Sequence, residues 1–431
     1  MPATVVIGGQ WGDEGKGRIV DLLARRATIV ARYSAGDNAG HTVINDRGKF
    51  KLNVVPAGIF YGDKTCIVGN GVALEPARLL TEIDKLVDRG VAVERLYVSD
   101  RAHVVMPYHP IIDRLDEALR GPLAVGTTGR GVGPAFADKV GRIGIRVGDL
   151  VDAERFAGRL RYVLEYKNRV LTRLYGAEPL DFDTVLREYS AFGRRLQPFV
   201  TDTSLLVQQA LDRGEDVLLE GAQGALLDLD FGTYEFVTSS VPSSSAAGAA
   251  LGIGIGPNEI TRTVGVYKAY QTRVGAGPMP TELFDETAAH IARRGDEFGT
   301  NTGRARRCGW FDAVAAQYTR RLNGLTDAVV TRLDVLDELP ELKICVAYAS
   351  GGQQLPSFPA SLSVLQDCEP VCETLPGWQC PTSDVRAFDD LPLPAQGYVR
   401  RIEQLLGCPV SIVSVGPERD QAIRVRSIIG A

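Results

Sequence analysis

Chemistry is most legible near the amino terminus, in Gln10-Trp11-Gly12-Asp13-Glu14-Gly15-Lys16-Gly17. Glycines permit the tight turns that point several backbone N–H groups at one phosphate, and Lys16 adds a mobile positive charge. The stretch is not a Walker A loop, because Gln10 holds the first glycine position and Gly17 replaces the terminal Ser or Thr. The magnesium ligand normally supplied by that hydroxyl must come from elsewhere. Asp13 is the natural candidate, since magnesium takes hard oxygen ligands. A plain glycine turn is the competing reading; it explains poorly why Asp13, Glu14, Lys16 and Arg18 crowd one turn beside an apolar strand.

A second glycine-rich loop, Asn38-Ala39-Gly40-His41-Thr42, carries the first histidine of the chain. A lone histidine is ordinarily a hydrogen-bonded surface or core group, so a structural and a catalytic role stand level here. Its imidazole could protonate or stabilise an oxygen near neutral pH. Thr127-Thr128-Gly129-Arg130-Gly131-Val132-Gly133-Pro134 offers hydroxyls, turns and a cation, and Arg142 follows. Asn301-Thr302-Gly303-Arg304-Ala305-Arg306-Arg307 concentrates arginines behind a polar turn. Their planar forks match carboxylate or phosphate, which points to an anionic substrate, with a bare surface patch as the alternative. Thr331-Arg332-Leu333-Asp334 ends on a carboxylate able to accept from N1–H and the amino group of guanine. Together these features support nucleotide-dependent chemistry on an anionic co-substrate without fixing the reaction.

Such residues need a scaffold that brings distant loops to one place. Thr4-Val5-Val6-Ile7-Gly8 reads as a buried strand, and Ile19, Val20, Leu22, Leu23 and Ala27 recur with helical spacing. Strand, glycine loop and helix in that order put backbone amides at the carboxyl end of a sheet strand, where α/β proteins bind anions. Further strands are expected at 27–33, 65–69, 95–99, 216–219, 263–274, 327–331, 343–349 and 410–415. Residues 220–224 are expected as a loop. Helices are expected at 75–88, 110–119 and 151–174, the last with Phe156, Leu160, Val163, Leu164 and Val170 on its apolar side and its charges solvated. The pattern predicts an α/β fold with one large mixed, mostly parallel central sheet and flanking helices. Residues 1–431 form a single catalytic domain in this reading, with a largely helical subregion at 101–213 and a peripheral excursion at 351–395.

The composition, 45% hydrophobic and 23% charged, is that of ordinary soluble α/β proteins. A net charge of -5 gives no pull toward nucleic acid or anionic membrane. The start Met1-Pro2-Ala3-Thr4-Val5 lacks the features of a secretory signal, so the cytoplasm is the expected compartment. Seven cysteines in a chain of this length are expected as reduced thiols; Cys368, Cys372 and Cys380 lack the second close pair or nearby histidine of a zinc site.

Over essentially its whole length the sequence resembles the adenylosuccinate synthetase family. The opening octet is far more specific than a lone glycine-rich loop. Asn38-Ala39-Gly40-His41-Thr42, Gly126-Thr127-Thr128-Gly129-Arg130-Gly131, Glu220-Gly221-Ala222-Gln223-Gly224, Tyr267-Lys268-Ala269-Tyr270, Cys308-Gly309-Trp310-Phe311-Asp312 and Gly416-Pro417-Glu418-Arg419 follow in the family's order. The resemblance implies a P-loop-like, GTPase-related core and the condensation of IMP with L-aspartate. GTP and Mg²⁺ would drive it, giving adenylosuccinate, GDP and phosphate through a 6-phosphoryl-IMP intermediate. It implies that Asp13 removes the N1 proton of IMP and ligates magnesium together with the Gly40 carbonyl. His41 would serve the β/γ bridging region, and Lys16 and Gln223 would complete the catalytic set. The nucleotide would also meet Gly12, Glu14, Gly15, Gly17, Arg18, Thr42 and Arg306, with its base against Arg332, Leu333 and Asp334 and near Ser414, Val415 and Gly416. IMP would meet Asn38, Thr128, Gln223, Thr238 and Arg304, and Arg142 would reach in from the partner of a homodimer. L-Aspartate would sit against Thr300, Asn301, Thr302, Gly303, Arg304, Ala305 and Arg306.

Departures bear on the substrate. Arg332 stands where the family usually has lysine, Phe136 where tyrosine is common, Val241 where an asparagine is usual, and Asn301 where threonine is common. Ala305 lacks an arginine seen in some members. These changes leave open a paralogue with an altered purine or amino-acid substrate. A nucleotide-hydrolysing regulatory GTPase is the remaining alternative, disfavoured because His41, Gln223 and the arginine cluster imply co-substrates.

Overall fold

The first strand, β1 (Ala3–Gly8), is buried along its whole length, as the unbroken apolar run Val5-Val6-Ile7 requires of a strand covered on both faces. The computed structural model describes residues 3–45, 48–241, 243, 245–298 and 305–429. With β1 the central sheet contains β2 (Ile29–Arg32), β3 (Thr65–Val68), β4 (Leu96–Ser99), β5 (Val200–Thr201), β6 (Val217–Gly224), β7 (Ile260–Lys268), β8 (Asp327–Thr331), β9 (Val410–Ser414) and β10 (Ala422–Arg424). Their spatial order is β5-β4-β3-β2-β6-β1-β7-β8-β9-β10. Every neighbouring pair is parallel except β9 and β10, so the expected large, mostly parallel sheet is present.

Alternation along the strands divides the interior into two cores. Val6, Val30, Val68 and Val266 face the side covered by α1 (Lys16–Ala24), α2 (Pro76–Asp88) and the helices that follow. Val5, Ile7, Ile29, Ala31, Ile67 and Val330 face the opposite side. Between residues 101 and 213 the chain is mainly helical, with α3 (Tyr108–Arg120), α4 (Val132–Val140), α5 (Ala153–Leu174), α6 (Phe182–Leu196) and α7 (Thr203–Asp212). Caps explain where these helices begin. Glu75 accepts from the backbone N–H groups of Ala77 and Arg78 ahead of Pro76, and Asp152, Asp181 and Asp202 cap α5, α6 and α7 in the same way. No helix among the described residues is long and apolar enough to cross a membrane.

Three expectations need correction. The strand expected at 343–349 exists as Glu341–Ser350 but does not join the central sheet. It pairs antiparallel with Glu369–Pro376, inside the excursion, and parallel with Phe311–Asp312. Its partly alternating burial leaves exposed positions that a strand covered on both faces could not hold. Residues 220–224 continue β6 rather than forming a loop. Small residues are needed there because a Cβ on Gly221 would lie 2.7 Å from the Val6 carbonyl oxygen on β1. On α5, Val170 is only half-buried and Lys167 is buried in its place, paired with Asp138, which also accepts from His109.

Candidate active site

The site is built along the carboxyl ends of β2, β6, β1, β7 and β8, where a parallel sheet presents its loops to ligand. After β1 the chain turns sharply, with positive φ at Gly12 (91°), Asp13 (60°) and Gly15 (86°). Asp13 is the informative one, since a non-glycine residue in this region is uncommon and persists where its surroundings hold it. Glu14, fully buried beneath the turn, does part of that holding. Its Oε1 accepts from the backbone N–H groups of Gln10 (3.1 Å) and Gly12 (2.8 Å), and its Oε2 from Lys16 Nζ at 2.6 Å. The flanking glycines leave room for it: a Cβ on Gly8 would lie 2.3 Å from the Glu14 carboxylate. The Gln10 side chain ties the loop to β7, accepting from Lys268 N (2.9 Å) and donating to the Tyr270 carbonyl (3.0 Å).

Asp13 carries a cation on one side. Arg306 Nε donates to its Oδ2 at 2.9 Å, and Oδ2 alone of its two carboxylate oxygens has a partner among the described residues. Behind Arg306 lies Glu297, completely buried, accepting from Arg306 Nη1 (2.7 Å), from Lys268 Nζ (2.8 Å to each oxygen) and from the Tyr270 hydroxyl. Burial alone would push the Glu297 carboxyl up; Lys268, Arg306 and Arg332 outweigh it and hold the group at about 2.

His41, expected in a loop, instead opens the strand His41–Asn45, which pairs antiparallel with Gly48–Leu52, and it packs over the first turn of α1. A Cβ on Gly17 would lie only 2.6 Å from His41 Cβ, which accounts for glycine at that place. Its Nδ1 is 2.8 Å from Glu220 Oε1, and Arg32 donates to the same oxygen at 3.1 Å. Arg32, the last residue of β2, and Glu220, within β6, are register partners. Gln223 is buried three residues further along β6.

The remaining residues expected at the site fall into groups. Asn38 lies beside buried Asp37, whose carboxylate is 2.8 Å from Arg78 Nε and 3.8 Å from Arg130 Nη1, linking that loop to the one bearing exposed Thr128. The latter loop is fastened by Glu117, which accepts from the N–H groups of Gly126 (2.7 Å) and Thr127 (3.1 Å), and by Asp113, which accepts from Gly131 N (2.8 Å). Arg18 donates to Ser414 Oγ and the Gly416 carbonyl, joining α1 to the end of β9, and the Asp334 charge acts on it. Oδ1 of Asp334 is buried without a hydrogen-bond partner among the described residues, and burial raises the pKa of that carboxyl. Arg332 sits at positive φ (64°) beside it. Leu333 and Val415 are core side chains, so only their backbones can face a nucleotide. Thr238 Oγ1 shares a hydrogen bond with Ser240 at 3.1 Å. Gly40 and Thr42 flank His41, and Ala305 is exposed where the strand Arg307–Gly309 is approached. Thr300, Asn301, Thr302, Gly303 and Arg304 lie outside the described residues. Arg142 is exposed, at φ 63°, and among the described residues its side chain pairs with none of the others expected at the site.

Sequence reasoning missed Arg32, Glu220, Lys268 and Glu297. The available signal was ionisable residues at the ends of apolar strands, where burial without a partner is prohibitive. Two departures from the family pattern fall in one small cluster: buried Phe136 lies with Val132 and Ala135, and Val241 packs against that cluster. Both polar groups are thus lost on one small surface, and each apolar side chain covers the other's neighbourhood.

A tight glycine loop at the carboxyl end of a central strand, a carboxylate backed by a cation, and a half-buried histidine define an enzyme that uses a nucleotide to activate an anionic substrate. A family model for adenylosuccinate synthetase matches residues 5–423, and the chain belongs to that family. It is 52% identical over 423 residues to the adenylosuccinate synthetase of Dehalococcoides mccartyi, covering 98% of this chain and 100% of that one. To that of Thermomicrobium roseum it is 53% identical over 425 residues, 98% of each chain. Fully ligated adenylosuccinate synthetase from Plasmodium falciparum superposes with a TM-score of 0.91 at 35% identity, covering 98% of this chain and 99% of the other. A cyanophage S-2L succinoaminodeoxyadenylate synthetase, TM-score 0.61 at 20% identity over 99% of this chain and 96% of its own, shares the fold alone. The chain is a ligase of purine biosynthesis, and the family's GTP-dependent synthesis of adenylosuccinate from IMP and L-aspartate is its reaction.

Proposed function

We infer that the synthesis proceeds through 6-phosphoryl-IMP, with Asp13 as the base that takes the N1 proton and His41 as the group that meets the β/γ bridge of GTP. The observation that carries this reading is the convergence of the two on the first turn of α1, each held from behind by a buried ion pair: Asp13 by Arg306 and Glu297, His41 by Glu220 and Arg32. A carboxylate is a weak base toward a lactam N–H, so the negative charge developing on O6 has to form near cations. Lys16 and Arg306 are the cations at hand. Phosphorylation then turns a poor oxygen leaving group into a good one, and the amine of L-aspartate displaces it at C6.

Asp13 and the Gly40 carbonyl are hard oxygens suited to Mg²⁺, and one carboxylate with one carbonyl, completed by phosphate and water, is a donor set that ion accepts. Bound there, the ion would neutralise charge on the transferred phosphoryl group. Asp334, with a buried oxygen lacking a partner, suits the two N–H donors of guanine. IMP would lie between the Asn38 and Thr128 loops with Gln223 and Thr238, and L-aspartate against residues 300–306. Exposed Val140, Tyr162 and Tyr166 near Arg142 supply apolar surface for the homodimer in which that arginine serves the partner's site.

Phosphate release with GTP alone, then with GTP, IMP and L-aspartate, tests the reading; equal rates in the two mixtures would sink it. A matrix of GTP against ATP, IMP against GMP, and aspartate against related amino acids then separates this assignment from a paralogue's.

A further inference from the structure

We propose that Glu220 is a positioning residue for His41, accepting from its imidazole Nδ1–H and presenting Nε2 to the phosphate loop. The proposal rests on the assignment of His41 to the phosphoryl-transfer step. A carboxylate oxygen 2.8 Å from an imidazole nitrogen calls for a proton between them, since two lone pairs at that distance repel; Arg32 Nη1, 3.2 Å from the same nitrogen, is the longer contact. Burial would raise the Glu220 pKa, but His41 and Arg32 outweigh it and hold the group at about 2. The other carboxylate oxygen accepts from the N–H of Ala57 at 3.0 Å, and Arg32 shares the first oxygen at 3.1 Å. With both oxygens engaged, the carboxylate cannot rotate away, and the ring is oriented from behind.

The free side of the ring is equally defined. Nε2 is buried and has no hydrogen-bond partner among the described residues. The Cδ2 edge, which adjoins Nε2, rests over the missing Cβ of Gly17, at 3.5 Å from where that atom would be. An unpaired buried nitrogen costs stability unless something completes it, and when Nε2 also carries a proton a phosphate oxygen above the loop is the acceptor placed to do so. Arg32 and Glu220 are set by strand register rather than by a flexible loop. Glu220 itself is wholly buried, so it orients His41 without touching substrate.

A double-mutant cycle tests this, with kcat and KM measured for Glu220→Gln, His41→Ala and the pair. Glu220→Gln should lower kcat on the order of 10²-fold while moving each KM by less than about 3-fold. On the His41→Ala background the same change should alter kcat by less than about 3-fold, because the residue it acts through is gone. An equal loss on both backgrounds would make Glu220 merely structural and overturn the proposal. Full activity of His41→Ala alone would instead remove the role of His41, a separate failure. A second measurement needs no variant: histidine ¹⁵N spectra of the wild-type protein should show a proton on Nδ1 of His41, and an unprotonated Nδ1 would refute the inference.

Discussion

Replacing Glu297 by glutamine probes the buried charge cluster that holds Arg306 against Asp13. The carboxylate has no exposed surface and serves Lys268, Arg306 and Tyr270 at once. Burial opposes its ionisation, yet its neighbours bring its pKa from 4.5 to about 2. A difference of that size corresponds to about 3 kcal/mol between the charged and neutral forms. Removing one member of a buried cluster and leaving its cations uncompensated costs about 3–5 kcal/mol in general, which agrees. For a chain this long, with unfolding entropy of roughly 2 cal/mol/K per residue, the melting temperature should fall by about 3–6 °C at pH 7. The sign of the pH dependence follows from the depressed pKa. The stabilisation is complete above the unfolded value of 4.5 and is lost as pH falls through about 2, so the gap between wild type and Glu297→Gln should narrow below about pH 4.5. Thermal melts of both proteins from pH 7 to pH 3.5 provide the measurement. Equal melting temperatures at pH 7, or a gap unchanged across that range, would refute the account of this cluster.

Asp13→Asn should lower kcat by about 10²–10⁴-fold with an unchanged melting temperature, since Glu297 still anchors Arg306; steady-state phosphate release and a melt check both halves. Asp13→Asn and Arg142→Leu protomers, each inactive alone, should recover about a quarter of wild-type activity when mixed in equal amounts, because half the dimers then contain one intact site; no recovery would place Arg142 outside the partner's site. Asp334→Asn should raise the KM for GTP by about 10–100-fold, the worth of hydrogen bonds to a charged acceptor, and erode discrimination against ATP.

How much of this was legible in the sequence depends on which interactions are local. Eight of the ten strands of the central sheet announced themselves as apolar runs, the short Val200–Thr201 and Ala422–Arg424 did not, and the octet at residues 10–17 marked the tight turn after β1, because turn chemistry and burial are written in consecutive residues. Asp13 and His41 were found on the same basis. Their partners were not, since Glu220 and Glu297 acquire meaning only from Arg32, Lys268 and Arg306, which are distant in sequence. The strand Glu341–Ser350 was recognised but attributed to the wrong sheet. Its composition alone does not state which neighbour it will find, whereas its partly exposed positions exclude a central place. Lys167 shows the same limit: a lysine within a charged helix looked solvated until Asp138 supplied a buried partner.

The bond from Arg18 to Ser414 spans 396 residues, and that from Arg306 to Asp13 spans 293. During synthesis the glycine loop therefore emerges from the ribosome long before Arg306 and Ser414, the distant residues that bond to Asp13 and to Arg18. A nascent chain has the loop but lacks the groups that would bring its nucleotide and acceptor together. A chain truncated before β8 should carry the opening motif without Arg332, Asp334 and Ser414.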